Sequence, residues 1–294
     1  MKTLVRFWGT RGSIPTPGNR TRRYGGNTSC VSLDIGGALF ICDGGTGLRE
    51  LGVSLMADRG NQPLEAHLFF SHTHWDHIQG FPFFMPAYSE RNALYVYDAT
   101  REDDRVRQLL LGQMSHDYFP VTFRDLGSQI TSRNLEQGET LLEGVRIRHR
   151  EQVHPGKSFA YSFEVAGKKV VYATDSELDL SIRNRDASET DLGSLRELPA
   201  ELVRFVADAD LLIADGQYTD EEYPSKRGWG HARANTVVDL AVQAGVKQCA
   251  IFHHDPMHSD EHVDQIVAGG QARARRHGSQ VQVFAAREGI ELSV

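Results

Sequence analysis

The chain has 294 residues, 40% hydrophobic, 24% charged and 9% aromatic, with a formal net charge of -7. That composition excludes a fibrous, collagen-like or wholly disordered chain, and the negative balance argues against broad, sequence-independent binding to a polyanion. Cys30, Cys42 and Cys249 are too far apart for a CxxC motif, and their odd number is no disulfide framework. With no apolar run of 18 residues and no signal-like start, the expectation is a soluble cytoplasmic protein without membrane contact.

In chain order, Leu4 to Trp8, Cys30 to Ile35 and Ala38 to Cys42 read as strands separated by glycine-rich turns, a β-meander opening. A helix is expected near Leu48 to Met56, then a buried strand at Ala66 to Phe70 that runs into Ser71 and a group of histidines. Arg101 to Met114 has the leucine spacing of a surface helix. Phe159 to Val165 and Lys169 to Ala173 form a hairpin around Gly167. Helices at Leu195 to Val206 and Thr236 to Ala244 bracket an apolar strand, Asp210 to Ala214, and Cys249 to Phe252 is the last strand of the pattern. No Pro/Ser-rich linker interrupts the chain, so residues 1–294 read as one domain. Two β-rich halves with helices outside satisfy layer packing as an α/β four-layer αββα sandwich.

The segment His72-Thr73-His74-Trp75-Asp76-His77 carries the chemistry. At this chain's own frequencies of histidine and aspartate, HxHxDH arises by chance in about two of a thousand such sequences, so coincidence is a poor account of it. In extended chain His72 and His74 project from one side, and Asp76 and His77 lie beyond them where the chain bends, a layout able to serve two metals. Imidazole and carboxylate donors suit Zn²⁺, with Mn²⁺ or Fe²⁺ also compatible.

The motif resembles that of the metallo-β-lactamase-fold hydrolases, in which it is followed by a lone His, a lone Asp and a final His. The resemblance spans about the whole chain and implies two divalent metal ions. It assigns one site to His72, His74 and His154 and the other to Asp76, His77 and His253, with Asp175 bridging. His253 and His254 are adjacent and face opposite ways in a continued strand. His253-His254-Asp255-Pro256 resembles the His-x-Ser-Pro stretch of the RNA-processing branch, ligand first, which favours His253. Asp43-Gly44-Gly45-Thr46-Gly47 resembles that branch's first motif and makes Asp43 a support for the ligand loop, outside the metal shell. Asp76 is expected to act as ligand and general base.

Gly230-His231-Ala232-Arg233-Ala234 resembles the Gly-His-Ser/Thr-x-Ala motif of the ribonuclease Z-like phosphodiesterases, with Ala232 at the Ser/Thr position. There the histidine protonates the leaving oxygen, held by an acidic residue at the end of the preceding strand; Asp215 occupies that place, as Asp where the family has Glu. Arg20, Arg22 and Arg23, and Lys226, Arg227 and Arg233 around Trp229, are candidate handles for phosphates and bases. The implied function is a dinuclear-metal phosphodiesterase of a nucleotide or RNA. The glycine-rich tRNA-clamping arm is not evident between His154 and Asp215, which leaves a 3′,5′-cyclic nucleotide and an RNA end both open. A lactonase or thioesterase of the same fold, or a nonhydrolytic metal-binding protein, is the alternative, and a homodimer follows only by analogy with related phosphodiesterases.

Overall fold

The structure is a computed structural model and describes residues 2–60, 62–100, 104–185, 189 and 191–294. Two seven-stranded sheets form, and each combines an antiparallel meander with a parallel run. In the first sheet, β1 (Thr3–Gly9), β2 (Cys30–Ile35) and β3 (Ala38–Cys42) are antiparallel. From β3 the sheet continues parallel through β4 (Glu65–Phe69), β5 (Ala93–Asp98) and β6 (Gln129–Asn134). The second sheet repeats the plan: β7 (Thr140–Leu142), β8 (Val145–Gln152), β9 (Ser158–Val165) and β10 (Lys168–Ala173) are antiparallel. Then β11 (Leu211–Asp215), β12 (Gln248–Phe252) and β13 (Gln282–Ala285) run parallel to β10. Strand β14 (Glu291–Ser293) returns to pair with β1.

Alternation along these strands separates three apolar layers. Val5, Phe7, Phe40, Phe69, Tyr172, Ile213 and Phe252 meet between the sheets. Leu39, Ile41, Ala66 and Leu68 face the other way, toward α1 (Gly47–Arg59) and α3 (Arg105–Gln113); the short α2 (Trp75–Ile78) lies between these in the chain. Val171, Leu212, Ala214, Cys249 and Ile251 face α4 (Ala200–Val206), α6 (Ala234–Gln243) and α7 (Asp260–Arg276); α5 (Tyr223–Lys226) is a single turn. The runs 170–173, 211–214 and 249–252 are apolar throughout because both faces of each strand are covered. The result is the αββα sandwich expected from the alternation of elements.

Several boundaries differ from the sequence reading. The helix expected over Leu195 to Val206 is confined to Ala200–Val206, because Pro199 cannot continue a helix begun earlier. Arg196 is fully buried and ion-paired to Asp220 at 2.5 Å, so that stretch is an extended strap. Strand β11 is shifted by one residue, since Asp210 leaves the ladder to bind Lys168 and Lys247 at its start. For the helix expected from Arg101, residues 101–103 lie outside the described residues, and α3 begins at Arg105. Cys30, Cys42 and Cys249 are free and buried, with burial pushing each thiol up. Among the described residues no helix is long and apolar enough to cross a membrane.

Candidate metal centre

Side chains that carry chemistry emerge from strand ends, where an open parallel sheet places its ligands. The chain after β4 enters Ser71 and the HxHxDH segment, and α2 turns Asp76 and His77 inward while His74 stays on the rim. Asp43 follows β3, Asp175 follows β10, Asp215 ends β11 and His253 follows β12. Asp43, Asp175 and His253 have φ of 60°, 49° and 59°. Left-handed backbone at three polar residues is costly, and it turns each side chain off its strand toward one point.

Two donor groups meet there. In one, His154 Nε2 is 3.2 Å from His74 Nδ1, and the His72 ring lies 4.4 Å and 4.7 Å from the rings of His74 and His154. In the other, Asp76 Oδ2 is 3.3 Å from His77 Nε2 and 3.1 Å from His253 Nε2. Asp175 divides its oxygens between them. Its Oδ1 faces His77 at 3.2 Å and His253 at 3.3 Å, whereas its Oδ2 faces His72 at 3.6 Å and His154 at 3.9 Å. The structure thus brings together all seven residues singled out as ligands. His254 points the other way, with Nε2 donating to the Ala286 carbonyl at 2.9 Å.

Outer contacts aim the rings. His77 Nδ1 meets Asp43 Oδ2 at 2.8 Å, and Asp43 also accepts from the Ser71 amide at 2.7 Å and the Tyr172 hydroxyl at 2.6 Å. His154 Nδ1 donates to the Gly230 carbonyl at 2.8 Å, and His253 Nδ1 meets Gln217 Oε1 at 2.8 Å. Such partners fix the tautomer and direct the other nitrogen inward.

The buried Nε2 atoms of His72 and His77 have no hydrogen-bond partner. Burial pushes the His72, His74 and His154 pKa values down, so these rings are neutral, as metal ligation requires. Around His77 burial is outweighed by Asp175, Asp76 and Asp43, which push its pKa well up. Although burial opposes ionisation, His77 and His253 hold Asp76 well below the usual carboxylate range, and the Ser13 amide donates to it at 2.7 Å. Orphaned imidazole nitrogens facing a shared carboxylate are the donor set of a divalent cation pair, so the residues present fit that group.

The sequence model of the beta-lactamase superfamily domain matches residues 40–254. The chain belongs to the β-lactamase superfamily. As a β-lactamase-superfamily chain it is similar to ribonuclease Z of Methanosarcina mazei, 24% identical with 87% of this chain and 88% of the relative covered. Ribonuclease Z of Staphylococcus carnosus is likewise 24% identical, covering 90% and 92%. Among solved structures, the metallo-β-lactamase fold protein YhfI from Bacillus subtilis aligns with a TM-score of 0.70 at 16% identity, covering 100% of this chain and 99% of that one. The short form of human tRNase Z aligns at 0.64 and 18%, covering 99% of each; both likenesses describe the fold.

His231 Nδ1 is 2.8 Å from Asp215 Oδ2, and its ring stacks on His253 with centroids 4.9 Å apart. Burial works against the imidazolium, but Asp215 more than offsets it, and the His231 pKa is pushed up to about 9. Lys226 Nζ sits 4.0 Å above the exposed Trp229 ring, beside this loop. Arg233, expected as a phosphate handle, is instead buried, with Nε 2.6 Å from Asp179 Oδ1 and its amide 2.8 Å from Oδ2. It anchors the start of α6. Arg227 pairs with Glu189 at 3.0 Å and Arg23 with Asp264 at 2.7 Å, both half-exposed. Arg20 Nη2 donates to the Met257 carbonyl.

Residues with no spacing signal also shape the site. Glu177 is buried and accepts from the Tyr223 hydroxyl at 2.7 Å and the Gly228 and Gly230 amides at 2.7 Å and 2.9 Å. It therefore clamps the loop that carries His231. Gly230 has φ of 88°, and a Cβ there would lie 2.4 Å from His154 Nδ1, so only glycine lets this loop touch that ring.

Proposed function

We propose that this chain is a metal-dependent phosphodiesterase, one domain holding two divalent ions in the cytoplasm, zinc by the nature of the donors. His72, His74 and His154 would hold one ion and Asp76, His77 and His253 the other, with Asp175 shared. Bound there, a divalent pair supplies Lewis acidity that generates a nucleophile from water at neutral pH and stabilises charge on a phosphoryl oxygen. Asp43, Gln217 and the Gly230 carbonyl keep the histidine rings oriented. Asp76, ionised over the whole working range, accepts a hydrogen bond from the attacking water and orients it.

The observation that carries the reading is the His231–Asp215 pair beside both donor groups. A thioester expels a thiolate that has little need of a proton, whereas an alkoxide expelled from a phosphodiester needs a general acid. Asp215 keeps His231 protonated at neutral pH, and its stacking on His253 sets it against the reacting end of the site. The proton passes from His231 to the leaving oxygen, and Asp215 stabilises the ring while it is charged. The ribonuclease Z names of the relatives support the same class of bond. Lys226 and Trp229 suit a nucleotide or an RNA end, one by charge and the other by stacking.

The test incubates metal-loaded protein with 3′,5′-cyclic AMP and with a 3′-extended tRNA precursor, with His231→Ala as control. Turnover of either substrate, lost in the variant, supports the proposal and identifies the substrate. Turnover of lactones or thioesters alone, unaffected by His231→Ala, overturns it.

A further inference from the structure

A second constellation of metal-binding side chains stands apart from the centre just described and shares no residue with it. Glu222, His258 and His262 place one donor atom each within 4.8 Å of one another. Glu222 Oε1 is 2.8 Å from His258 Nε2 and 3.8 Å from His262 Nε2, and the two imidazole rings lie 4.1 Å apart. The other carboxylate oxygen, Oε2, accepts from the Thr219 amide at 2.9 Å, which leaves Oε1 aimed at both rings.

The scaffold beneath these groups is rigid. His258 is only 5% exposed; its amide donates to the Asp255 carbonyl at 3.0 Å, and its own carbonyl accepts from the buried Arg11 at 2.8 Å. His262 lies in the first turn of α7, where its amide donates to the capping Ser259 side chain. Its Nε2, facing Glu222, is sealed from solvent and has no hydrogen-bond partner. A neutral interior rarely keeps such a nitrogen without an acceptor, and here the nearest polar atom is a carboxylate oxygen beyond hydrogen-bond reach.

His258 and Glu222 are within hydrogen-bond reach and His262 is beyond it, and the spacing of the three donors taken together also admits a cation. Tetrahedral zinc with bonds of about 2.0–2.1 Å has donor–donor edges of roughly 3.3–3.4 Å, midway between the two nitrogen–oxygen separations. Small movements of Glu222 and His262 equalise them. Two imidazoles and one carboxylate are a three-donor set for a late first-row divalent ion. A cleft of about 450 Å³ lined by Asp220, Glu221, Asn235 and Gln265, with Glu222 and His262 on its wall, offers a route for the ion and room for a water as fourth donor.

We propose that Glu222, His258 and His262 form a divalent-metal site, separate from the seven-residue centre, that fastens the loop after β11 to the segment between β12 and α7. Those two connections also carry Gln217 and His253, so an ion here stiffens the backbone that delivers the second donor group. The proposal stands whether or not the phosphodiesterase reading holds.

Full-length protein loaded with Zn²⁺ and dialysed against metal-free buffer is assayed for zinc per chain, and its crystals are measured on both sides of the zinc absorption edge. The expected result is an anomalous peak between Glu222, His258 and His262, and one zinc equivalent fewer in His262→Gln and in Glu222→Gln, with peaks at the seven-residue centre unchanged. His262 is partly exposed and Gln at 222 can still accept from Thr219, so both variants are expected to fold. The proposal is overturned by wild-type crystals without that peak, or by variants that retain the full zinc count. Wild-type crystals with a peak here and none at the seven-residue centre would count against the proposed function instead.

Discussion

Replacing Asp215 by Asn removes the anion that keeps His231 charged while leaving a side chain of the same size against the ring. The structure gives the magnitude. With Asp215 in place the His231 pKa is about 9, so at pH 8 about nine-tenths of the rings carry the proton. Without it, burial is left to oppose the charge, and even the ordinary value of about 6.5 leaves only about 3% protonated at that pH. A general acid must hold its proton to act, so kcat at pH 8 should fall by about thirty-fold or more. The sign follows from the raised pKa: activity is retained up to the folded-state value and lost above it. The alkaline limb should therefore move from near 9 to below about 6.5 in Asp215→Asn. The assay is a pH profile on an alkyl phosphodiester in parallel with an aryl phosphodiester whose leaving group needs no proton. The aryl substrate should lose little, and metal content should match the wild type. An alkaline limb that stays near 9 in the variant, or equal losses on both substrates at full metal content, would refute the reasoning.

Asp43→Asn should weaken metal binding about 10- to 100-fold, because His77 loses its anionic partner at 2.8 Å; competition with a chromophoric chelator reads this directly. Gly230→Ala places a methyl group 2.4 Å from His154 Nδ1 at a φ of 88°, so both metal occupancy and turnover should drop sharply, whereas Gly228→Ala, with a similar φ of 86° but nothing near its Cβ, should carry the backbone strain without the clash and cost less. His254, buried and neutral, has its pKa pushed down to about 3, so on acidification the unfolded chain takes up a proton that the folded chain refuses. Stability should then decline from about pH 6.5 down toward pH 3, by about 2 kcal/mol at pH 5 from this residue alone. Urea unfolding of His254→Gln at pH 7 and pH 5 should show a correspondingly smaller drop.

The parts of the site legible in the sequence were those compressed into short segments or tied to strand ends. His72 to His77 occupy six consecutive positions, and Asp175, Asp215 and His253 each follow an apolar run whose end is visible as a change of polarity. The meander and the parallel strands were legible for the same reason, since strands covered on both faces read as unbroken apolar stretches. Glu177, Gln217 and Ser13 were not, because each works through a contact with a segment tens of residues away. Arg233 misled for the complementary reason: its positive charge is visible in the chain, but Asp179, 54 positions earlier, consumes it. The helix expected from Leu195 shows local spacing overruled by a buried arginine whose partners, Asp220 and Asp239, belong to other elements.

Asp175 gives one oxygen to each donor group, and both groups draw on both sheets. His72, His74, Asp76 and His77 follow the first sheet's β4; His154, Asp175 and His253 follow strands of the second. Neither sheet holds a full set for either proposed ion, so ion affinity would depend on how closely the two sheets approach. Aromatic contacts between them, such as Phe7 with Phe252 and Phe69 with Tyr161, would therefore act on the chemistry from a distance. A slimmer side chain at one of these contacts would be felt as weaker chelation before it was felt as unfolding, and binding the ions in turn would press the sheets together like a clasp.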